Sequence, residues 1–149
     1  MFLDILNMII VPIVIGLLAH YIFKKYIDIL NRILPVVSMV GIALIIVIIT
    51  AAGRDALLSI GGYLIIAVLL HNVLGYLLGY WGGRLFGMAE QDCRTIAIEV
   101  GLQNAGMASG LALKMGKVAT VGLAAALFGP IMNTTGSLLA TWWGKRPPQ

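Results

Sequence analysis

Charge is scarce in this sequence: 11% of its 149 residues are Asp, Glu, Lys or Arg, while 60% are hydrophobic. An average globular protein is roughly a quarter charged. A water-soluble domain of this make-up would precipitate, so the natural solvent for its surface is lipid. Cysteine is scarcer still. Cys93 stands alone, which excludes an internal disulfide and leaves no thiolate cluster for a metal. Nor does the sequence offer a pair of aspartates, a Ser-His dyad on a shared face, or a His/Cys set across its apolar runs, which argues against an intramembrane enzyme. The net charge of +4 comes from Lys and Arg residues grouped between apolar runs; they build no continuous basic face, so nucleic acid is not an expected partner. The opening Met1-Phe2-Leu3-Asp4 lacks the basic region and small-residue cleavage site of a signal peptide. The first apolar run is therefore expected to stay in the mature chain.

What is present is length without charge. A hydrocarbon core about 30 Å thick takes roughly 20 apolar residues of helix, and such runs fall at 5–23, 34–52, 57–83, 94–115 and 118–143. The expected fold is an all-α membrane protein with five transmembrane helices. The connectors hold Lys24 to Arg32, Gly53-Arg54-Asp55, Arg84 to Asp92, and the tight Gly116-Lys117 turn. Lys24, Lys25, Arg32, Arg84, Arg94, Lys145 and Arg146 fall on one side of the bilayer, against Arg54, Lys114 and Lys117 on the other. The positive-inside rule puts the larger group in the cytoplasm, the amino terminus outside and the carboxyl terminus inside. An unprocessed chain that begins outside without a leading helix is unusual, and suggests a segment upstream.

Spans one and two read as scaffold, with Pro12 and Pro35 near helix ends. In span three Gly75, Gly79 and Gly83 recur on one face at a spacing that lets another backbone approach. Gly106 and Gly110 repeat the pattern in span four. His71-Asn72 reads as a buried hydrogen-bonded pair, and Asp92, Arg94 and Lys114 as anchors at the ends of span four. Span five has Gly129-Pro130 ahead of Asn133, Thr134, Thr135, Gly136 and Ser137, so a kink near its middle is expected.

Span four is the least apolar crossing. A carboxylate at membrane depth costs at least about 2.5 to 3.5 kcal/mol and usually marks an ion or substrate path. A continuous helix would set Glu99 and Gln103 on one face, but Gly101 and Gly106 bracket the amides of Gln103 and Asn104, and glycine lowers helix propensity by about 1 kcal/mol relative to alanine. The crossing is therefore expected to be discontinuous here. Unwinding frees backbone carbonyls, tolerated in a membrane only where protein, water or an ion satisfies them. One carboxylate, one amide oxygen and free carbonyls form a hard oxygen set suited to an alkali cation rather than a transition metal. Two alternatives stay open on the residues alone: Glu99 is protonated or paired and merely ties helices together, or it exchanges a proton instead of a metal ion.

The segment Ile96-Ala-Ile-Glu-Val-Gly-Leu-Gln-Asn-Ala-Gly-Met-Ala-Ser-Gly-Leu-Ala112, preceded by Leu70-His-Asn-Val-Leu-Gly-Tyr-Leu-Leu-Gly-Tyr80 and followed by Phe128-Gly-Pro-Ile-Met-Asn-Thr-Thr-Gly136, resembles the bile acid:sodium symporter family. The similarity covers the whole chain. It implies the second of two inverted five-helix repeats in a ten-helix secondary transporter, with residues 1–53 as two panel-type helices and residues 54–149 as three core-type helices that include the broken crossing helix. By the same resemblance Glu99 is a carboxylate shared between two Na⁺ sites, Gln103 is the amide ligand of the second, and the carbonyls around Val100 and Leu102 complete that site. Asn104 and Asn133 fall at the substrate cavity; where many relatives carry a His before the last of these, this chain has Met132. The implied function is Na⁺-coupled symport of an organic anion, bile-acid-like or a small carboxylate, in a bacterial inner membrane. The partners are lipid and the missing N-terminal repeat, in cis or as a separate chain. A proton-coupled carrier and a non-transporting assembly subunit are the alternatives.

Overall fold

Only helices and closed barrels can satisfy a backbone in hydrocarbon, and this sequence takes the first route. The computed structural model describes residues 2–146; Met1 and residues 147–149, at the ends of the two expected blocks, lie outside the described residues. The helices are α1 (Phe2–Ile22), α2 (Ile27–Ala52), α3 (Arg54–Leu85), α4 (Glu90–Gly101), α5 (Ala105–Lys114) and α6 (Leu123–Gly144), with a 3-10 turn at Lys24–Tyr26 and a π-helical turn at Val118–Gly122. No strand occurs among the described residues. Four stretches are long and apolar enough to cross a bilayer: Ile5–Ile22, Lys24–Ala52, Arg54–Leu85 and Val118–Gly144. The chain is an integral membrane protein.

Two compact units divide the chain, residues 1–44 and 45–149. The first holds α1 and most of α2, whose apolar side chains are largely exposed. Pro12 and Pro35 lie inside these helices rather than near their ends. Each removes one N–H, a loss that helices in lipid absorb by local adjustment. The polar stretch after α1, expected as a connector through Arg32, is mostly helix: only the turn around Lys24–Tyr26 separates α1 from α2, and Asp28 sits in the first turn of α2, where the helix dipole favours a negative charge.

In the second unit, α3 and α4 pack antiparallel along the expected glycine seam. Gly75 faces the backbone of Val100 and Gly101, Gly79 that of Ala97 and Ile96, and Gly83 faces Cys93. Lipid tails are as apolar as leucine, so close van der Waals packing between small residues drives such contacts. Gly106 does not extend the seam: it is exposed, and a Cβ there would meet only the neighbouring Asn104 Oδ1 at 3.5 Å. The two short connections each turn on a left-handed glycine, Gly87 at φ 67° and Gly116 at φ 65°, a conformation that costs glycine no Cβ clash. Around them Met88 N–H donates to Gly83 O at 3.1 Å and Lys117 N–H to Ala112 O at 2.9 Å, closing α3 and α5. Beyond the π-helical turn, α6 supplies the buried Leu123, Ala125, Ala126 and Phe128, and it runs as one helix through Pro130.

At the connector end of α4, Arg94 Nε donates to Glu90 Oε1 at 2.7 Å while its Nη1 donates to the carbonyls of Trp143 and Arg146 at 3.3 and 2.7 Å. A cation on the Trp143 carbonyl, in the last turn of α6, complements that helix's dipole. Arg94 thus anchors the start of α4, as expected. The hydrogen bond from Tyr80, at 2.8 Å, and then Arg94 hold the Glu90 carboxyl below the usual carboxylate range.

Candidate cation and substrate site

The fourth expected span is interrupted where the sequence places its amides. α4 has 12 residues and α5 has 10, so at about 1.5 Å per residue neither reaches across a core about 30 Å thick. Leu102 leaves the helix with φ −85° and ψ 94°, its N–H still bonded to Ile98 O at 2.8 Å. Asn104 then opens α5 as its N-cap, Oδ1 accepting from Met107 N–H at 2.8 Å. Asparagine is among the best residues for that position.

A helix end leaves its last carbonyls without partners. Among the described residues, the carbonyls of Glu99, Val100 and Leu102 receive no N–H from the segment that follows. Gly101 O does find a donor, Asn72 Nδ2 at 3.0 Å. Val100 O lies beside Gly75, at 3.0 Å from where a Cβ would sit. The break is further held by shape: a Cβ on Gly101 would run into the Tyr76 ring, and one on Gly136 would come within 2.9 Å of the Leu102 side chain.

Beside the break lies a cavity of about 490 Å³, lined by Leu64, Val68, His71, Gln103, Asn104 and Phe128 among others. Its walls are mostly apolar, with the polar groups gathered at one place. The Gln103 amide faces the His71 ring, Oε1 at 3.1 Å and the amide nitrogen at 2.8 Å from His71 Nε2. A ring nitrogen carries one proton or one lone pair, so only one of these contacts is a hydrogen bond in any one tautomer. Phe128 holds the far side of the imidazole edge-on, with centroids 5.5 Å apart.

The residues singled out from sequence are only partly brought together. Gln103 and Asn104 line the cavity. Glu99 is exposed on α4, has no hydrogen-bond or ion-pair partner among the described residues, and does not line the cavity; Asn133, exposed on α6, does not either. Val100 and Leu102 flank the break, where their carbonyls are the relevant groups. His71 and Asn72 are not bonded to each other: Asn72 is fully buried, whereas His71 faces Gln103. Thr135, one of the polar residues noted after Pro130, bonds across to α3, and Tyr76, which sequence reasoning missed, joins it and Asn72 in one network. Thr135 Oγ1 donates to Asn72 Oδ1 at 2.6 Å, and Tyr76 Oη lies 3.1 Å from Thr135 Oγ1 and 3.2 Å from Met132 O. The run of hydroxyl residues after Pro130 was the available signal for Thr135; Tyr76 is set apart only by following Gly75 in the seam. No group of three or more His, Cys, Asp or Glu residues is poised for a metal among the described residues. The donors at hand are amide and carbonyl oxygens with one carboxylate nearby, chemistry that suits a hard monovalent cation.

The fold defines the class, a helical membrane protein with four long apolar helices and a pair of short helices separated by a break at Leu102–Asn104. The comparisons narrow it. The model of the Sodium Bile acid symporter family matches residues 1–60. The chain is 36% identical over 146 residues to an uncharacterized sodium-dependent transporter, YocS, of Bacillus subtilis, covering 98% of this chain and 45% of that protein. It is 31% identical to the probable sodium/metabolite cotransporter BASS2, chloroplastic, of Oryza sativa subsp. japonica, over 94% of this chain and 33% of the relative. To the BASS1 protein of Arabidopsis thaliana, also described as a probable sodium/metabolite cotransporter, it is 26% identical over 97% of this chain and 36% of the relative. By these matches the chain is similar to the sodium bile acid symporter family, and it spans less than half the length of these relatives. The family and these relatives are transporters rather than enzymes.

Proposed function

We propose that this chain forms the second five-helix repeat of a Na⁺-coupled symporter for organic anions, bile-acid-like molecules or small carboxylates. In this reading α4 and α5 together make the broken crossing helix, residues 1–53 belong to a panel and residues 54–149 to a core, and the chain lies in a bacterial inner membrane with its amino terminus outside. The missing first repeat, in cis or as a separate chain, supplies the rest of the cavity. One observation supports the reading: helix ends meet at Leu102–Asn104, where among the described residues the carbonyls of Glu99, Val100 and Leu102 receive no backbone N–H, in the same segment as the Gln103 amide. Inside a membrane such a break is tolerated where it lines a site, and discontinuous helices of this kind hold Na⁺ in secondary transporters.

Glu99 supplies the negative charge, and the Gln103 oxygen with the carbonyls of Val100 and Leu102 supplies neutral donors. Bound Na⁺ neutralises Glu99 and fixes the unwound backbone, which raises the affinity of the adjoining cavity, with Asn104 and Asn133 near it, for an anion. By linkage the anion raises Na⁺ affinity by the same factor. The test is uptake of labelled organic anions into proteoliposomes holding the whole protein, with Na⁺ or choline outside and with Glu99→Ala in parallel. Uptake is expected only for the native protein in Na⁺. Equal uptake in all four conditions refutes the coupling, and uptake driven by a pH jump without Na⁺ assigns it to protons.

A further inference from the structure

The buried amide of Asn72 bridges α3, the end of α4 and α6. It is fully shielded, and both ends of its side chain are engaged: Nδ2 donates to Gly101 O at 3.0 Å, and Oδ1 accepts from Thr135 Oγ1 at 2.6 Å. The orientation of the amide follows from the partners. Gly101 O can only accept, so it must face the NH₂ group, which leaves the amide oxygen for the Thr135 hydroxyl. The Thr135 hydroxyl has a single proton. Its nearest acceptor is Asn72 Oδ1 at 2.6 Å, ahead of Ile131 O at 2.9 Å and Met132 O at 3.1 Å on its own helix; given to Asn72, it leaves Oγ1 to accept from Tyr76, whose hydroxyl otherwise donates to Met132 O.

We infer that Asn72, held by Thr135, is a positioning residue for cation binding: by capping Gly101 O it decides which carbonyls of the broken helix remain available to an ion. This rests on the Na⁺ reading given above. The end of α4 exposes the carbonyls of Glu99, Val100, Gly101 and Leu102, and Asn72 removes Gly101 from the set by tying it to α3. It also sets where α4 stops. The tie acts on the residue between Val100 and Leu102, so movement of Gly101 shifts both neighbouring carbonyls. Because Thr135 is on α6, the position of the donors depends on α3 and α6 keeping their separation, which couples the site to the packing of the core. Among the described residues the Asn72 side chain is bonded to Gly101 O and Thr135 Oγ1, and not to Gln103 or Glu99. Groups that hold ligands in place from behind typically contribute 10–100-fold to metal affinity.

The experiment uses the whole protein, purified in detergent, with melting temperature followed against Na⁺ at constant ionic strength with choline. The native protein, Asn72→Leu, Thr135→Val and Thr135→Ser are compared. Asn72→Leu and Thr135→Val are expected to raise the Na⁺ concentration for half-maximal stabilisation at least about tenfold, while Thr135→Ser, which keeps the hydroxyl, stays near native. A purely structural role lowers the melting temperature without Na⁺ but leaves that half-point unchanged, and this result overturns the inference. Should Asn72→Leu fail to fold, Thr135→Val decides by the same half-point. A native protein whose melting ignores Na⁺ overturns the functional reading itself, and the inference with it; Na⁺-responsive native protein with unmoved half-points in the variants overturns the positioning role alone.

Discussion

Gly79→Ala tests whether the α3–α4 seam sets the geometry of the break. A Cβ at position 79 would stand 2.8 Å from both Ala97 Cα and Ile96 O, which are backbone atoms that no side-chain rotation can move. Carbon contacts are comfortable from about 3.5 Å, so α4 must retreat from α3 by about 0.7 Å. The Asn72 Nδ2 to Gly101 O hydrogen bond, now 3.0 Å, would then stretch to about 3.7 Å, outside hydrogen-bond reach. Overpacking of this kind costs about 1–3 kcal/mol, and the lost buried hydrogen bond adds about 1 kcal/mol. The control is Gly82→Ala on the same helix, where nothing lies within 4 Å of the added methyl; helix propensity makes it neutral or stabilising by up to about 1 kcal/mol. Thermal melting of the two variants and the native protein in detergent measures the difference. Gly79→Ala is expected to melt well below both. If the two alanine variants melt together, the close approach of the helices is not what holds α4, and the reasoning fails.

Asn104→Ala removes the N-cap of α5 and is expected to cost about 1 kcal/mol in melting experiments, with Asn104→Ser restoring most of it. Gln103→Ala removes the amide that faces His71 in the cavity; since a polar contact to a charged group is worth about 1.5–3 kcal/mol, the Na⁺ needed for half-maximal uptake should rise about tenfold or more. The Glu90 carboxyl is held below its usual range by Tyr80 and then Arg94. Its contribution to stability is therefore complete above the ordinary carboxylate range and lost as pH falls through the lowered folded value. Melting temperature followed from neutral into acid pH should decline over that interval, and Glu90→Gln should flatten the decline; an identical acid profile in the variant would remove Glu90 from the account.

The amino-acid sequence by itself determined that this is a helical membrane protein, where its long spans lie, and where the fourth one breaks. These are local properties: apolar length, charge placement, and the low helix propensity of Gly101 and Gly106 on either side of two amides. The four-residue spacing of Gly75, Gly79 and Gly83 likewise announced a seam, because periodicity on one helix is visible without knowing its partner. Tertiary structure decided which backbone fills that seam, and it left Gly106 outside, since a Cβ there would meet only the neighbouring Asn104 side chain. It also separated His71 from Asn72, adjacent residues that lie about 100° apart around a helix, sending one to Gln103 and burying the other between Gly101 and Thr135. Thr135 is 63 positions from Asn72. Contacts over such distances depend on how three helices pack, and no local pattern of residues encodes them.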